Sequence, residues 1–117
     1  MEVLPGGTQI PVHSHDRYEE IIFIHDGVTS LTLGDDVVTA EPGTTMHVAP
    51  GVWHGVANNS DEDAKMLFIF PEPKIAAFFR EVGYSEGEEP PVLSAEDWDR
   101  IMTQHGMRAR PPGEAPE

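Results

Sequence analysis

The stretch His13-Ser14-His15-Asp16-Arg17-Tyr18-Glu19-Glu20 places two histidines one residue apart and ends in an acid. Side chains alternate along an extended strand, so residues 13 and 15 project from one face about 7 Å apart. Both rings can therefore converge on one ion. The later stretch Pro50-Gly51-Val52-Trp53-His54 contributes a third histidine. Three imidazoles and one carboxylate form a full protein ligand set for a divalent transition metal.

Glu20 opens a β-branched and aromatic run, residues 20–24, that is typical of a strand. If Glu20 faces inward, the alternation carries Ile22 and Ile24 inward and leaves Phe23 on the other face. An acid among isoleucines is costly to bury without a partner, and a metal ion is such a partner.

These residues resemble the two sequence motifs of the cupin superfamily. The first motif, G(X)5HXH(X)3,4E(X)6G, is matched without a gap by Gly7, His13, His15, Glu20 and Gly27. The second motif, G(X)5PXG(X)2H(X)3N, is matched by Gly43, Gly51, His54 and Asn58, with Ala49 in place of the proline. Glu19 would satisfy the shorter spacing of the first motif but leaves one residue too many before the glycine, which favours Glu20.

The resemblance implies that His13, His15, Glu20 and His54 hold one divalent transition metal ion. Fe, Mn, Ni, Cu, Co and Zn all remain open, because protein ligands of this kind do not choose among them. It also implies a double-stranded β-helix, or jelly-roll barrel, over residues 1–70.

Periodicity independently favours a mainly β fold. Residues 29–33 and 37–40 alternate around a turn and read as a hairpin, and Lys65 to Phe70 is typical of a strand buried on both sides. Short strands at this spacing are typical of an antiparallel sandwich or barrel.

Two short helices are expected after Pro71. Residues 74–82 have a helical apolar stripe that ends at Gly83, and Ser94 is an N-cap for a second helix. The region 71–106 resembles the C-terminal extension of quercetinase-like small cupins, which packs on the barrel. Residues 107–117 are rich in proline and charge and are expected to form a flexible tail.

Further site candidates follow from position alone. Glu19 and His47 are the candidate catalytic proton acceptors, although alternation could aim His47 into the cavity or away from it. Five apolar residues are candidates for a substrate pocket: Phe23, Met46, Trp53, Met66 and Phe68. His25 and His105 are expected to be surface or hydrogen-bonded residues.

Length and composition exclude several classes of protein. The chain has 117 residues, which allows one core, and its lack of cysteine excludes a disulfide framework and a thiolate zinc site. The formal net charge of −14 disfavours nucleic-acid binding. No apolar run reaches the roughly 18 residues of a membrane span, and the N-terminus does not resemble a secretion signal, so we expect cytoplasmic residence and no membrane partner.

A homodimer is also expected. Only a short segment precedes Gly7, so a sheet edge would be left uncovered, and an uncovered edge invites pairing with another chain.

We therefore expect a metal-dependent enzyme that acts on a small oxygenated organic substrate. The quercetinase-like C-terminal region favours dioxygenase, and hence oxidoreductase, chemistry. Two alternatives stay open: a non-oxidative metal-dependent isomerase, lyase or cyclase, and a non-catalytic cupin that binds or senses a small molecule.

Overall fold

Two antiparallel β-sheets make up most of the computed structural model, which describes residues 1–85 and 87–110. The strands are β1 (Glu2–Leu4), β2 (Gln9–His15), β3 (Glu20–Asp26), β4 (Thr29–Leu33), β5 (Asp36–Ala40), β6 (Thr45–Val48), β7 (His54–Ala57), β8 (Ala64–Ile69) and β9 (Met107–Ala109). One sheet has the order β1-β8-β3-β6 and the other β5-β4-β7-β2-β9. The predicted fold class, a mainly β jelly-roll barrel with two short helices, is confirmed.

The core lies between the two sheets and follows the alternation of the strands. On β3, Ile22 and Ile24 are buried together with Glu20, whereas Phe23 is only partly buried on the outer face. On β8, Met66 is fully buried and its neighbour Lys65 is exposed. The expectation that β8 is buried on both sides was therefore wrong, because its outer face faces solvent.

Asn58 fixes the end of the barrel that lies beyond β7. Its amide nitrogen donates to the carbonyls of Leu4 at 2.9 Å and Glu62 at 2.7 Å, and its side-chain oxygen accepts from the backbone and hydroxyl of Ser60. The Asn58 side chain is almost fully buried. A hydrophobic residue here would leave two carbonyls without these donors, which gives the motif asparagine a structural role.

The region after the barrel begins with a short 3-10 helix, Pro73–Ile75, followed by α1 (Ala76–Val82) and α2 (Ala95–Gln104). Ser94 caps α2 as predicted: its hydroxyl accepts from the backbone of Asp97, whose carboxylate accepts from the backbone of Ser94. This reciprocal pair is a capping box. A second apolar cluster of Tyr18, Ile75 and Met107 joins these segments to the barrel.

The expectation of a flexible tail from residue 107 was wrong for residues 107–109. They form β9, which pairs with β2 so that His13 faces Ala109 and His15 faces Met107. The edge of β2 offers unpaired backbone groups, and Met107 becomes buried when the two strands pair. Composition alone does not show that such an edge is within reach. Arg110 follows the strand and its N–H donates to the carbonyl of Val12 at 3.0 Å, whereas residues 111–117 of the predicted tail lie outside the described residues.

The edge strand β5 exposes Val37 and Val38 by 58% and 50%. The homodimer expected from an uncovered edge stays a prediction. Among residues 1–85 and 87–110, no helix has the length and apolar character needed to span a membrane.

Candidate metal centre

Three histidines from two neighbouring strands meet inside the barrel. β2 and β7 are paired so that His13 stands directly opposite His54, and His15 follows on the same face of β2. The ring centroids of His13 and His54 are 4.3 Å apart, and those of His15 and His54 are 4.7 Å apart. The candidate ligand atoms of the three rings all lie within 4.8 Å of one another. Strand pairing thus brings His54 to two residues that are far from it along the sequence.

The backbone sets the tautomer of each ring. Every Nδ1–H donates to a backbone carbonyl: that of Pro11 from His13 at 2.8 Å, that of Tyr18 from His15 at 2.9 Å, and that of Val52 from His54 at 3.0 Å. A carbonyl oxygen can only accept, so the proton of a neutral ring must reside on Nδ1. The Nε2 lone pair of each ring is then available to a metal, as the outer hydrogen bonds of metal-bound histidines require.

Glu20 reaches the cluster from the opposite sheet. Its Oε1 lies 2.9 Å from Nε2 of His15 and 3.3 Å from Nε2 of His54, and the residue is 5% exposed. Burial raises the pKa of Glu20, but hydrogen bonding from His15 and the positive charge of His15 and His54 in their protonated forms outweigh this effect and lower the pKa to about 2. Glu20 is therefore an anion at neutral pH, and a cation between its oxygen and the imidazoles would balance that charge.

His54 provides a test of whether a metal fits these residues. Its Nε2 is fully buried and forms no hydrogen bond with any residue of the described ranges, since the approach to Glu20 lacks hydrogen-bond geometry. A buried polar atom without a partner costs on the order of 1–3 kcal/mol. A metal ion bound by Nε2 removes this cost, so the donor set fits a divalent transition metal.

His13 stays neutral over the physiological range. Burial, assisted by the nearby His54, lowers the pKa of His13 to about 4. A neutral imidazole is the form that ligates a metal, so no proton has to leave His13 before an ion binds at neutral pH.

Tyr18 supports the ring of His15 from a buried position. Its carbonyl accepts the His15 Nδ1–H, its ring centroid lies 4.6 Å from that of His15, and its hydroxyl donates to the carbonyl of His105 at 3.3 Å. Burial raises the pKa of Tyr18 to about 12, so the hydroxyl remains a donor. This contact was not predicted from the sequence.

The loop before His54 is shaped by a glycine. Gly51 has φ of 82°, in the left-handed region that favours glycine, and its N–H donates to the carbonyl of His15 at 2.9 Å. This bond ties the loop to the end of β2. Gly55, directly after His54, approaches β2 so closely that an added Cβ would lie 3.0 Å from the Ile10 carbonyl oxygen. Both glycines allow β7 to place His54 against β2.

A cavity of about 600 Å³ opens over the histidine cluster. The barrel lines it with the four candidate ligands and with apolar residues that include Ile10, Val12, Ile22, Phe68 and Phe70. The region after residue 70 adds Ile75, Phe78, Phe79, Trp98, Met102, Met107 and Ala109. The volume is within the range of about 300–1,000 Å³ that is typical of small-molecule sites.

The structure does not support Glu19 and His47 as proton acceptors. Both lie outside this cavity, where Oε2 of Glu19 and Nε2 of His47 form an exposed pair at 2.7 Å. On β6 the buried residues are Met46 and Val48, so the alternation turns His47 to the outer face. The residue before Glu20 is turned outward for the same reason.

Of the five predicted pocket residues, Phe68 lines the cavity and the other four do not. Met46 and Met66 are packed in the core, and Phe23 lies on the outer face of β3. Trp53 lies beneath two guanidinium groups, those of Arg108 and Arg110, at 5.2 Å and 5.7 Å from its ring centroid. It supports the C-terminal strand rather than the cavity.

Most of the cavity wall after residue 70 was not predicted from the sequence. A signal for part of it was present, because Ile75 and Phe78 lie within the apolar stripe predicted for residues 74–82. Such a stripe predicts that these residues are covered, but not that they lie over the histidine cluster. His105 hydrogen-bonds to Glu81 at 2.8 Å, and the exposed His25 pairs with Asp26 at 3.1 Å, as expected for residues outside the site.

Residues 1–70 match the protein family described as Cupin domain. No curated protein matches the chain in sequence.

Solved structures share the fold of the barrel. A protein of Thermus thermophilus is 25% identical with a TM-score of 0.56, over 58% of this chain and 65% of that one. A predicted oxalate decarboxylase of Thermotoga maritima is 24% identical with a TM-score of 0.56, over 58% and 59% of the two chains. A sugar phosphate isomerase from a cupin superfamily, of Silicibacter pomeroyi, is 22% identical with a TM-score of 0.53, over 56% and 44%. The chain thus spans less than two thirds of each of these structures.

Proposed function

The chain belongs to the Cupin domain family, and we propose that it is a metal-dependent enzyme acting on a small oxygenated organic substrate, with dioxygenase chemistry as the leading form. The observation that carries this proposal is the convergence of three imidazole rings and one buried carboxylate at a cavity of about 600 Å³. His13, His15, Glu20 and His54 would hold the metal. A structural metal would not need a cavity of this size beside it.

A bound transition metal supplies Lewis-acid polarisation of substrate oxygens and, when it is iron, nickel or copper, a redox centre for reaction with O2. The residues of the chain prepare that site. The carbonyls of Pro11, Tyr18 and Val52 orient the three rings, and apolar side chains line the cavity beside the cluster.

The choice between oxidative and non-oxidative chemistry depends on the available bases. Isomerases and lyases need a group that accepts a proton from carbon within hydrogen-bond reach. In the described part of the chain, the carboxylates that line the cavity are Glu20, which is paired with His15, and the exposed Glu2. Glu20 is therefore the carboxylate nearest to the cluster that could accept a proton, and dioxygenase chemistry stays the leading form with isomerase, lyase or cyclase chemistry as the alternative.

The proposal is tested by elemental analysis followed by a screen for oxygen uptake. Protein purified without chelator or affinity-tag metal is expected to contain about one transition metal ion per chain. Flavonols and β-diketones, which present adjacent oxygens, serve as the first substrates. Oxygen uptake is expected to require the metal and to be lost in His54→Ala.

The controls separate the alternatives. His105→Ala removes a histidine that bonds Glu81 away from the cluster and should retain both metal and activity. Undiminished turnover without oxygen would overturn the dioxygenase form in favour of a non-oxidative enzyme. Stoichiometric ligand binding without turnover would indicate a binding or sensing protein.

A further inference from the structure

The walls of the cavity around the histidine cluster are apolar and come from both parts of the chain. Phe68 lies on β8 and Phe70 comes directly after that strand. The later region lines the same cavity with Ile75, Phe78, Met102 and Met107. Phe70 also stacks edge to face with Tyr18 and Phe79, with ring centroids 6.1 Å and 6.2 Å apart. An occupant of this space therefore contacts aromatic rings and thioethers on most sides.

Positive charge is absent from the cavity wall. The chain has seven lysines and arginines, and the undescribed positions 86 and 111–117 contain none of them. Among the described residues that line the cavity there is neither lysine nor arginine. The arginines on and directly after β9 lie elsewhere: Arg108 and Arg110 face Trp53, and Arg110 also donates to Asp35 at 3.0 Å.

This distribution of charge disfavours a phosphorylated substrate or a dicarboxylate. An anionic group that does not contact the metal would be buried against phenylalanine and methionine, without a charged partner, and that is costly. The net charge of −14 adds long-range repulsion for such a ligand. Binding of an apolar group against the same wall is favourable, because the contacting apolar surface is removed from water.

We infer that the ligand of this site carries a pair of oxygens for the metal on a neutral, ring-sized apolar body that packs against Phe78 and Met102. This inference adds a class of ligand to the proposed function, and it rests on that function because it requires the same metal site. Methionine is flexible and polarisable, so Met102 and Met107 can adapt to rings of different outline.

Two chelating probes of contrasting body test the inference. Tropolone presents two adjacent oxygens on an apolar ring, whereas oxalate presents them with a second charge and no apolar body. Each is titrated by calorimetry into Co²⁺-loaded protein, and its affinity is divided by its affinity for free Co²⁺ in the same buffer. The normalised affinity of tropolone is expected to exceed that of oxalate by at least about tenfold.

Substitutions in the cavity wall test which residues contact the apolar part of the ligand. Phe78→Ala and Met102→Ala should each lower the affinity for tropolone about 5- to 30-fold and leave the affinities for oxalate and Co²⁺ unchanged. Val92→Ala, at a position 99% exposed between the two helices, is the matched control and should change nothing. Far-ultraviolet circular dichroism checks folding, and Met102→Ala serves alone if Phe78→Ala unfolds.

The outcomes separate this inference from the proposed function. Failure to bind Co²⁺ would overturn the metal site itself. Co²⁺ binding with an equal or higher normalised affinity for oxalate, or with no loss of tropolone in folded wall variants, would overturn only the apolar-ligand inference.

Discussion

The barrel and the region after residue 70 line the same cavity with different chemistry. The barrel provides the ionisable groups at its floor, His13, His15, Glu20 and His54, together with apolar neighbours. The later region provides aliphatic, aromatic and thioether side chains and no ionisable one in the residues described. The family match covers residues 1–70, so it includes the ligand set and leaves most of the outer wall outside it.

This difference separates the residues that we propose to bind the metal from those that we propose to contact the ligand. The ligand set depends on strand pairing within the barrel, whereas the wall depends on helices that lie beyond the family match. The fold and the candidate metal site therefore say little about a substrate, and the wall is the part that we propose to select it.

The largest effect is expected when one candidate metal ligand of the barrel is removed. His54→Ala should reduce metal affinity by more than about 100-fold, because even the loss of an outer hydrogen bond to a ligand costs about 10–100-fold. The fold should survive, since the side chain of His54 contributes one hydrogen bond, from Nδ1 to the carbonyl of Val52, and its Nε2 contributes none in the described structure. Elemental analysis and circular dichroism measure both results, and full metal occupancy would contradict the ligand assignment.

Acid should destabilise the metal-free protein through the same barrel residues. The pKa of His13 is lowered from 6.5 to about 4, so the unfolded chain binds the extra proton first and stability falls as pH drops through this window. Glu20, whose pKa is lowered from 4.5 to about 2, continues the loss at lower pH. The loss from His13 is up to about 3 kcal/mol.

Urea unfolding of the metal-free protein at pH 7 and pH 4 measures this loss. His13→Gln should flatten the dependence between these two values. Equal stability of the parent protein at both values would show that His13 is not held neutral by the fold.

Disturbing the attachment of β9 should affect stability and leave the ligand set intact. Gly106 has φ of 76°, and an added Cβ would overlap Oδ1 of Asp16. Gly106→Ala should lower the free energy of unfolding by about 1–3 kcal/mol while Co²⁺ affinity stays the same. Gly43→Ala is the matched control, because Gly43 has φ of 96° with open space around its Cβ. Both substitutions introduce left-handed backbone strain and should cost a similar amount, since the exposed Asp16 side chain can move aside. A loss of Co²⁺ affinity in Gly106→Ala would show that β9 helps to shape the metal site.

The smallest effect is expected on the outer face of the barrel. His47→Ala removes the exposed pair with Glu19, and such pairs contribute about 0.2–1 kcal/mol. Metal content and oxygen uptake should not change. A large loss of activity with normal metal content would restore His47 as a catalytic candidate.

Local patterns predicted the parts of this protein that depend on short-range geometry. The alternation of a strand places residues 13 and 15 on one face and carries Glu20 inward with Ile22, and the serine at position 94 caps a helix. Alternation also predicts the outward side chain of Phe23, which was nevertheless proposed for the pocket. The error lay in treating aromatic character as evidence of a pocket.

Long-range contacts were beyond such patterns. β9 was expected to be a tail, because its proline-rich surroundings indicate disorder while its pairing with β2 depends on an edge made by residues 9–15. Met46 and Met66 were expected at a pocket and lie in the core instead, since residue type does not show which part of an interior is filled.

The order and spacing of the amino acids were sufficient for the barrel and for the choice of its four metal-binding candidates, because strand periodicity and motif spacing are local properties. The tertiary structure alone showed which surfaces meet over those residues: the helices and β9 close the cavity, and all seven lysines and arginines lie away from its wall. Those contacts join residues far apart in the chain, and their geometry depends on how the whole molecule packs.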